Sequence, residues 1–456
     1  MKKKSLVPFI LGILLIGACC SIRQIINPNG DHCCPKLCEY DDPNCDPPEK
    51  DYKEGQIVAL IPEGSELNAD GVQSIFVNAV ATLKEGGTTF SDIKGNIINS
   101  VELIQNSFEL QPSCMCNPSL LLYNNDYIFG AETGLVQESN KGNDKEGPQF
   151  SKNYIFDEGK QSPPPGFVNQ IVPIERKLSN SVSADPLIVA FIDSGVKTGH
   201  IPAHMLWPTQ GINVLDSNNN VDDVLGHGTI VVETYLRALK ELDKKNVHNV
   251  QLLPIVALDN CGRGTTFSVS CGLYCADEND ADIVNMSLGS ENESSTLDLA
   301  VSEVTEDRKM KIVASSGNKG YNLNLGIKHF PSQYARPYNV TDPTIPFSHV
   351  QQNVFEVGSL CEDFDSYCGA TSNKLWGDSN YAQDMFVTGG MGIQNMGDGS
   401  VQCEIAGTSY AAPSFTAALS LELQKSQHNG LKDRMQSSST LIGSYYSYFS
   451  NTSNCP

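Results

Sequence analysis

Short runs that are apolar at nearly every position punctuate the middle of this chain, at residues 187–192, 252–258, 282–286 and 311–315, with helical stretches between them. A strand covered on one side only alternates apolar and polar residues, whereas these runs do not, so they predict strands buried on both faces. Strands of that kind alternating with helices predict an α/β fold, a three-layer sandwich with a mainly parallel central sheet, whose strand ends present side chains to a cleft. The N-terminal third reads differently. Residues 56–62 form an apolar strand, and Val72, Ile75, Phe76, Ala79, Val80 and Leu83 recur at helical spacing on one face. A second helical stretch is expected through Ile93, Ile97, Ile98 and Val101, with strands near 108–110 and 120–123. This pattern predicts a small α+β domain ahead of the larger one.

Punctuation sets the boundaries. Lys2, Lys3 and Lys4 precede an apolar run from Leu6 to Ile16, too short to span a bilayer as a helix, which predicts a signal peptide over 1–18. Its end, Ile16-Gly17-Ala18-Cys19, resembles the bacterial lipobox and so implies lipidation of Cys19 and attachment to the membrane; ordinary cleavage nearby would give a secreted protein instead. A Cys-, Pro- and Asp-rich tether follows over 19–50, then the α+β unit over 51–140. A polar linker with Pro163-Pro164-Pro165 covers 141–166 and offers a place for maturation cleavage. The large domain is expected over 167–435, with a Ser- and Tyr-rich tail over 436–456.

A formal charge of -22 over 456 residues disfavours nucleic acid as a partner and adhesion to anionic lipid through a basic patch. The 15 cysteines suit an oxidising compartment, and setting Cys19 aside leaves an even number for disulfides. The cluster of His32, Cys33, Cys34, Cys38 and Cys45 also admits a zinc reading, although the spacing lacks paired Cys-x-x-Cys motifs. Cys361 and Cys368 would close a short loop, while Cys271 and Cys275, neighbours on one helix face, are badly placed to bond each other. Pairing is not legible beyond that.

Three separated segments carry the chemistry. Phe191-Ile192-Asp193-Ser194-Gly195 ends an apolar strand in a carboxylate, Gly226-His227-Gly228-Thr229 sets an imidazole among small residues, and Gly407-Thr408-Ser409-Tyr410-Ala411-Ala412-Pro413 holds a serine. A serine hydroxyl is a poor nucleophile near neutral pH unless an imidazole takes its proton and a carboxylate holds that imidazole. Asp193, His227 and Ser409 fit those roles, in an order that resembles the subtilase family of serine peptidases. Two more segments carry the resemblance, Ala314-Ser315-Ser316-Gly317-Asn318 and residues 281–289. It implies that Asn318 donates to the oxyanion and that an extended peptide pairs with Gly262-Arg263-Gly264 and Ser287-Leu288-Gly289. It further implies a propeptide role for the α+β unit, a peptide or protein substrate, and an acyl-enzyme intermediate.

The chain departs from the family pattern after Thr229, where Ile230-Val231-Val232-Glu233 replaces a second His and small residues. Glu233 must therefore find a polar pocket or push its helix outward. The resemblance places Lys319, directly after Asn318, at the rim of the primary specificity pocket, and Asp223 stands four residues before His227; they would favour acidic and basic substrate side chains, or else act as solvated rim charges worth less than about 1 kcal/mol. The chemistry requires no cofactor. The run Asp216 to Asp223 offers oxygen ligands, so a structural calcium and a solvated turn both fit it. Beside an endopeptidase stand two other readings, a catalytically silent surface peptide-binding lipoprotein and a protease that processes only itself.

Overall fold

The computed structural model describes residues 50–62, 65–141, 147–157, 186–197, 199–207, 211–242, 249–306, 309–336, 348–360, 375–376, 378–382, 385–389, 391–395, 401–425, 430–438 and 446–449. The predicted leader, Cys19, the tether, most of the linker, Cys361 with Cys368, and most of the tail lie outside them.

The larger unit is built on an eight-stranded sheet. Its strands, in chain order, are β5 (Leu187–Asp193), β6 (Ile212–Asn213), β7 (Val250–Val256), β9 (Ile283–Met286), β10 (Lys311–Ser315), β11 (Val354–Leu360), β12 (Met385–Gly389) and β13 (Tyr446–Phe449). The spatial order is β13-β12-β11-β10-β9-β5-β7-β6, parallel throughout except for β13, which runs antiparallel at one edge. The helices α3 (His227–Leu242) and α6 (Thr408–Lys425) cover one face. The other face carries α4 (Thr266–Glu278) and α5 (Ser295–Glu306). β5 makes the reason plain. Its Val189 and Phe191 pack with Tyr235 and Leu236 of α3, and its Ile188, Ala190 and Ile192 with Val269 and Leu273 of α4. Both faces of the strand need apolar residues, hence the uninterrupted run. The expected α/β sandwich is the fold observed. No helix among the described residues is long and apolar enough to cross a membrane.

The N-terminal unit forms an antiparallel sheet from β1 (Tyr52–Leu60), β2 (Glu109–Leu110), β3 (Leu120–Asn124) and β4 (Gln149–Asp157), with the helices α1 (Ala69–Glu85) and α2 (Glu132–Ser139) against it. Phe76 from α1 meets the rings of Phe108, Tyr123 and Phe150 at 5.0 to 5.2 Å, the centre of a separate small core. Two expectations change here. The second helical stretch is a hairpin, Phe90–Ser91 against Ile97–Ile98, followed by a five-residue helix from Val101. Asp92 makes the turn by accepting the Lys94 and Asn96 N–H groups at 2.9 Å each, a local alternative to helix that leaves Ile93 and Ile97 exposed. Residues 149–157, placed in the polar linker by their neighbours, are instead the strand β4, with Phe150 and Phe156 buried.

A fifth strand completes that sheet, and it belongs to the large unit: β8 (Arg263–Thr265) pairs antiparallel with β4, Arg263 opposite Asp157 and Thr265 opposite Ile155. The reverse face of the contact is apolar. Val58, Leu60, Leu120 and Phe156 join the same hydrophobic cluster as α4 and α5.

Buried carboxyls give the fold a pH signature. Asp298 on α5 is 7% exposed and accepts from the Tyr334 hydroxyl, and burial pushes its carboxyl up to about 7. A carboxyl raised in the folded state stabilises most below its unfolded value near 4, and that contribution is lost as pH rises through about 7. Asp298→Asn keeps an oxygen acceptor for Tyr334 and removes the buried charge. The variant should gain melting temperature relative to the parent between pH 5 and pH 8; an offset that stays constant across that range counts against the assignment.

Candidate active site

The three segments converge at the C-terminal ends of the parallel strands. Asp193 is the last residue of β5, His227 the first of α3, and Ser409 the second of α6; all three are at most 3% exposed. Asp193 Oδ1 lies 2.8 Å from His227 Nδ1 and also accepts the Ser194 N–H at 2.7 Å. An ionised carboxylate only accepts, so Nδ1 carries the proton and Nε2 is the basic nitrogen. The His227 ring lies 5.7 Å from that of Tyr410, the residue after Ser409.

Small residues permit this approach. A side chain at Gly228 would put its Cβ 2.2 Å from the Gly195 carbonyl oxygen and 3.1 Å from Asp193 Oδ1, so only glycine lets α3 begin against the end of β5. Asp223 holds that helix start. Its Oδ1 accepts from Gly226 N–H at 2.7 Å and Ser194 Oγ at 3.0 Å, and its Oδ2 accepts from the Thr229 N–H at 2.8 Å and hydroxyl at 2.6 Å. This corrects the substrate-rim reading of Asp223, which is a buried helix cap. The signal was present in sequence, an Asp three residues before a glycine at the threshold of a helix.

Ser409 is held from the opposite side. Pro413 sits inside α6 and has no N–H, so the carbonyl of Ser409, four residues earlier, loses its helical donor. The Ser287 hydroxyl takes that place at 2.7 Å, and Ser409 Oγ donates to the Ser287 carbonyl at 3.3 Å. Asn285 fixes the Ser287 hydroxyl at 3.0 Å and accepts from Thr416 of α6 at 2.9 Å, tying β9 to α6.

Asn318 lies beside them with a fixed orientation. Its Oδ1 accepts the Thr408 N–H at 2.9 Å and the Thr408 hydroxyl at 2.8 Å. Because a backbone N–H can only donate, the amide oxygen must face Thr408, and Nδ2 faces the other way as a donor. Asn380, absent from the expected site, brackets this loop: its Oδ1 accepts from Lys319 and Tyr321 N–H, and its Nδ2 donates to the Ser316 carbonyl at 2.8 Å. Gly317 has φ +96, and a Cβ there would be 2.5 Å from Asn380 Nδ2.

The expected peptide-pairing segments meet on one strand of the N-terminal unit. Gly264 lies opposite Phe156, and Gly289 exchanges backbone hydrogen bonds with Asp157 at 2.8 and 3.0 Å. Asp157 thus lies between Arg263 and Gly289, with Gly262 closing the turn before β8 through its bond to the Asp259 carbonyl. Pairing with Gly289 is antiparallel, so β4 points toward Ser287, whose carbonyl accepts from Ser409. Leu288 is buried, in the core shared with α4 and α5. Lys319 pairs with Glu291 at 2.6 Å, both about half exposed, so its charge is already partnered at the rim. Glu233 finds a polar pocket, with its carboxylate 3.0 Å from His200 Nδ1 and both residues buried.

The run Asp216 to Asp223 uses many of its side-chain oxygens locally. Asp223 is committed to four donors on or beside α3, and Asn213, Asn218 and Asn220 accept from neighbouring backbone N–H groups. These oxygens already hold donors within the turn, whereas the carboxylate of Asp216 meets only the Asn213 amide among the described residues.

A model of the subtilase family of peptidases matches residues 185–447. The chain belongs to the subtilase family. Subtilisin Savinase of Lederbergia lenta is 27% identical over 271 residues, which cover 58% of this chain and 88% of that protein. The alkaline protease of Alkalihalobacillus alcalophilus is also 27% identical over 271 residues, but the match spans only 62% of its length, less than two thirds. Among solved structures, fervidolysin of Fervidobacterium pennivorans, described as a keratinolytic enzyme related to subtilisin, aligns with 85% of this chain and 57% of its own at a TM-score of 0.49 and 15% identity.

Proposed function

We propose that this subtilase is a serine endopeptidase that hydrolyses peptide or protein substrates through an acyl-enzyme on Ser409. The observation that carries this is the 2.8 Å bond from His227 Nδ1 to Asp193, beside an Asn318 amide whose oxygen is locked away from the reacting centre. His227 Nε2 takes the proton as Ser409 Oγ attacks the substrate carbonyl carbon. The oxyanion is met by Asn318 Nδ2 and by the amide end of α6, where helix N–H groups favour negative charge. His227 then passes the proton to the departing amine, and water resolves the ester by the same steps in reverse.

Substrate lies as an extended strand between Gly262-Arg263-Gly264 and Ser287-Leu288-Gly289. The N-terminal unit is propeptide-like, and β4 occupies that place before maturation. The enzyme acts outside the cytoplasm, anchored through a lipid on Cys19 or secreted, with nucleic acid excluded by its charge.

A fluorophosphonate probe with mass spectrometry of the labelled peptide tests the reading, and label on Ser409 is expected. Asn318→Ala should still label, while peptide turnover falls by about a hundredfold to a thousandfold, the size known for this donor in a subtilisin. Folded protein freed of its N-terminal unit that takes no label would sink the proposal.

A further inference from the structure

Among the described residues, two disulfides join the N-terminal unit to the large unit. Cys114 bonds Cys271 and Cys116 bonds Cys275, bridging 157 and 159 residues of sequence. Cys271 and Cys275 lie on consecutive turns of α4, so their side chains leave one face and reach two cysteines of one loop. α4 begins at Thr266, directly after β8, the strand that holds β4 in the cleft. Both bridges are therefore anchored to the helix that carries one wall of the substrate groove. Further polar contacts bind the same face: Asn153 accepts from Phe267 N–H at 3.0 Å, Thr266 Oγ1 accepts from Tyr154 N–H at 3.1 Å, and Ser295 donates to the Phe150 carbonyl at 2.7 Å.

We infer that the N-terminal unit is a covalently retained occupant of the substrate cleft: cutting the chain between Asp157 and Leu187 leaves it attached, and it departs only after both bridges are reduced. The inference rests on the cleft assignment under Proposed function. A fragment held only by non-covalent contacts dilutes into solution once its peptide link is cut. A fragment on a short tether keeps an effective concentration of roughly millimolar, far above that of the protein itself. Two bridges act in parallel, since either one alone preserves the tether. They are unequally reachable, because Cys116 is half-buried while Cys114, Cys271 and Cys275 are at most 3% exposed. A dithiol reductant would therefore open Cys116–Cys275 first. Its thiolate attacks one sulfur to give a mixed disulfide, its second thiol displaces the protein thiol, and the reductant leaves as its own cyclic disulfide. A second equivalent repeats this at Cys114–Cys271. Four protein thiols result.

The test uses the full chain with a site for a specific endopeptidase placed between residues 158 and 185, in Ser409 and Ser409→Ala forms. After the cut, the N-terminal piece should remain with the large unit on a denaturing gel without reductant and separate from it with dithiothreitol. Native size-exclusion at nanomolar protein should show release only after reduction. Peptide turnover of the Ser409 form should rise at least tenfold on reduction, and Cys114→Ser/Cys116→Ser should reach that rate without reductant; Cys271→Ser/Cys275→Ser is the second route should the first pair fail to fold. Separation on the gel without reductant overturns the proposal, as does release by a chelator alone with one zinc per chain, which would make the four cysteines a metal site. Measurable turnover that is equal before and after reduction also overturns it. Release on reduction with no turnover in either state upholds retention and counts against the peptidase reading, so the two failures are distinguishable.

Discussion

Ser409→Ala should fold as the parent does and lose peptide hydrolysis by on the order of a millionfold, the loss known for a subtilisin deprived of its serine. The hydroxyl contributes little to the fold. Its hydrogen bond to the Ser287 carbonyl is long at 3.3 Å, whereas the shorter bond at 2.7 Å goes to the Ser409 backbone carbonyl and survives the substitution. The melting temperature should therefore stay near that of the parent while turnover collapses. A residual rate about a thousandfold to ten-thousandfold above water is expected, since in the proposed mechanism Asn318 and the cleft would still bind and polarise the substrate. The measurement is kcat on a chromogenic peptide after reductive removal of the N-terminal unit, alongside the parent. Parent and variant equally slow would favour the catalytically silent peptide-binding reading. A parent that cuts its own chain but no added peptide would favour the self-processing one.

The parts of this structure that announce themselves in sequence are those fixed by local chemistry. Apolar runs such as 187–192 read as strands because burial on both faces demands an apolar residue at every position. The segments of the proposed triad stood out because they carry small residues that a close approach requires, Gly228 being the clearest. What remained hidden depends on pairings between distant residues. β4 looks like linker because its polar Ser151 and Asn153 are buried, and their partners, Thr296 and Phe267, come from the large unit. Cys271 and Cys275 could be seen as unsuited to each other, yet nothing local selects Cys114 and Cys116 as their partners. The Glu233 problem was visible as a charge on a helix face expected to pack closely, and its answer, His200, lies 33 residues away. Asp223 was misread because its spacing to His227 suggested the rim, while its spacing to Gly226 and Thr229 specified a cap.

Asp193→Asn should lower kcat by roughly ten-thousandfold, the order of loss known for the triad aspartate of a subtilisin, with KM nearly unchanged, because in the proposed mechanism Asp193 acts through His227. The geometry decides why. The Ser194 N–H, 2.7 Å from Oδ1, can only donate, so the amide oxygen of an asparagine will take the Oδ1 position. His227 Nδ1–H then keeps an acceptor, and the productive tautomer is retained. The amide nitrogen falls where Oδ2 lies, a buried atom with no hydrogen-bond partner. A donor left unpaired there weakens the site by about 1 to 3 kcal/mol, and the larger part of the loss comes from removing the negative charge that stabilises the imidazolium formed during attack. Asp193→Ala removes the acceptor as well and should be slower still, since the ring then loses its orientation. The effects belong to one unit and will not add: in a Ser409→Ala background, Asp193→Asn should change the residual rate by less than about tenfold. A loss carried mainly in KM, or one that multiplies fully with Ser409→Ala, would mean that Asp193 supports the cleft and not the base.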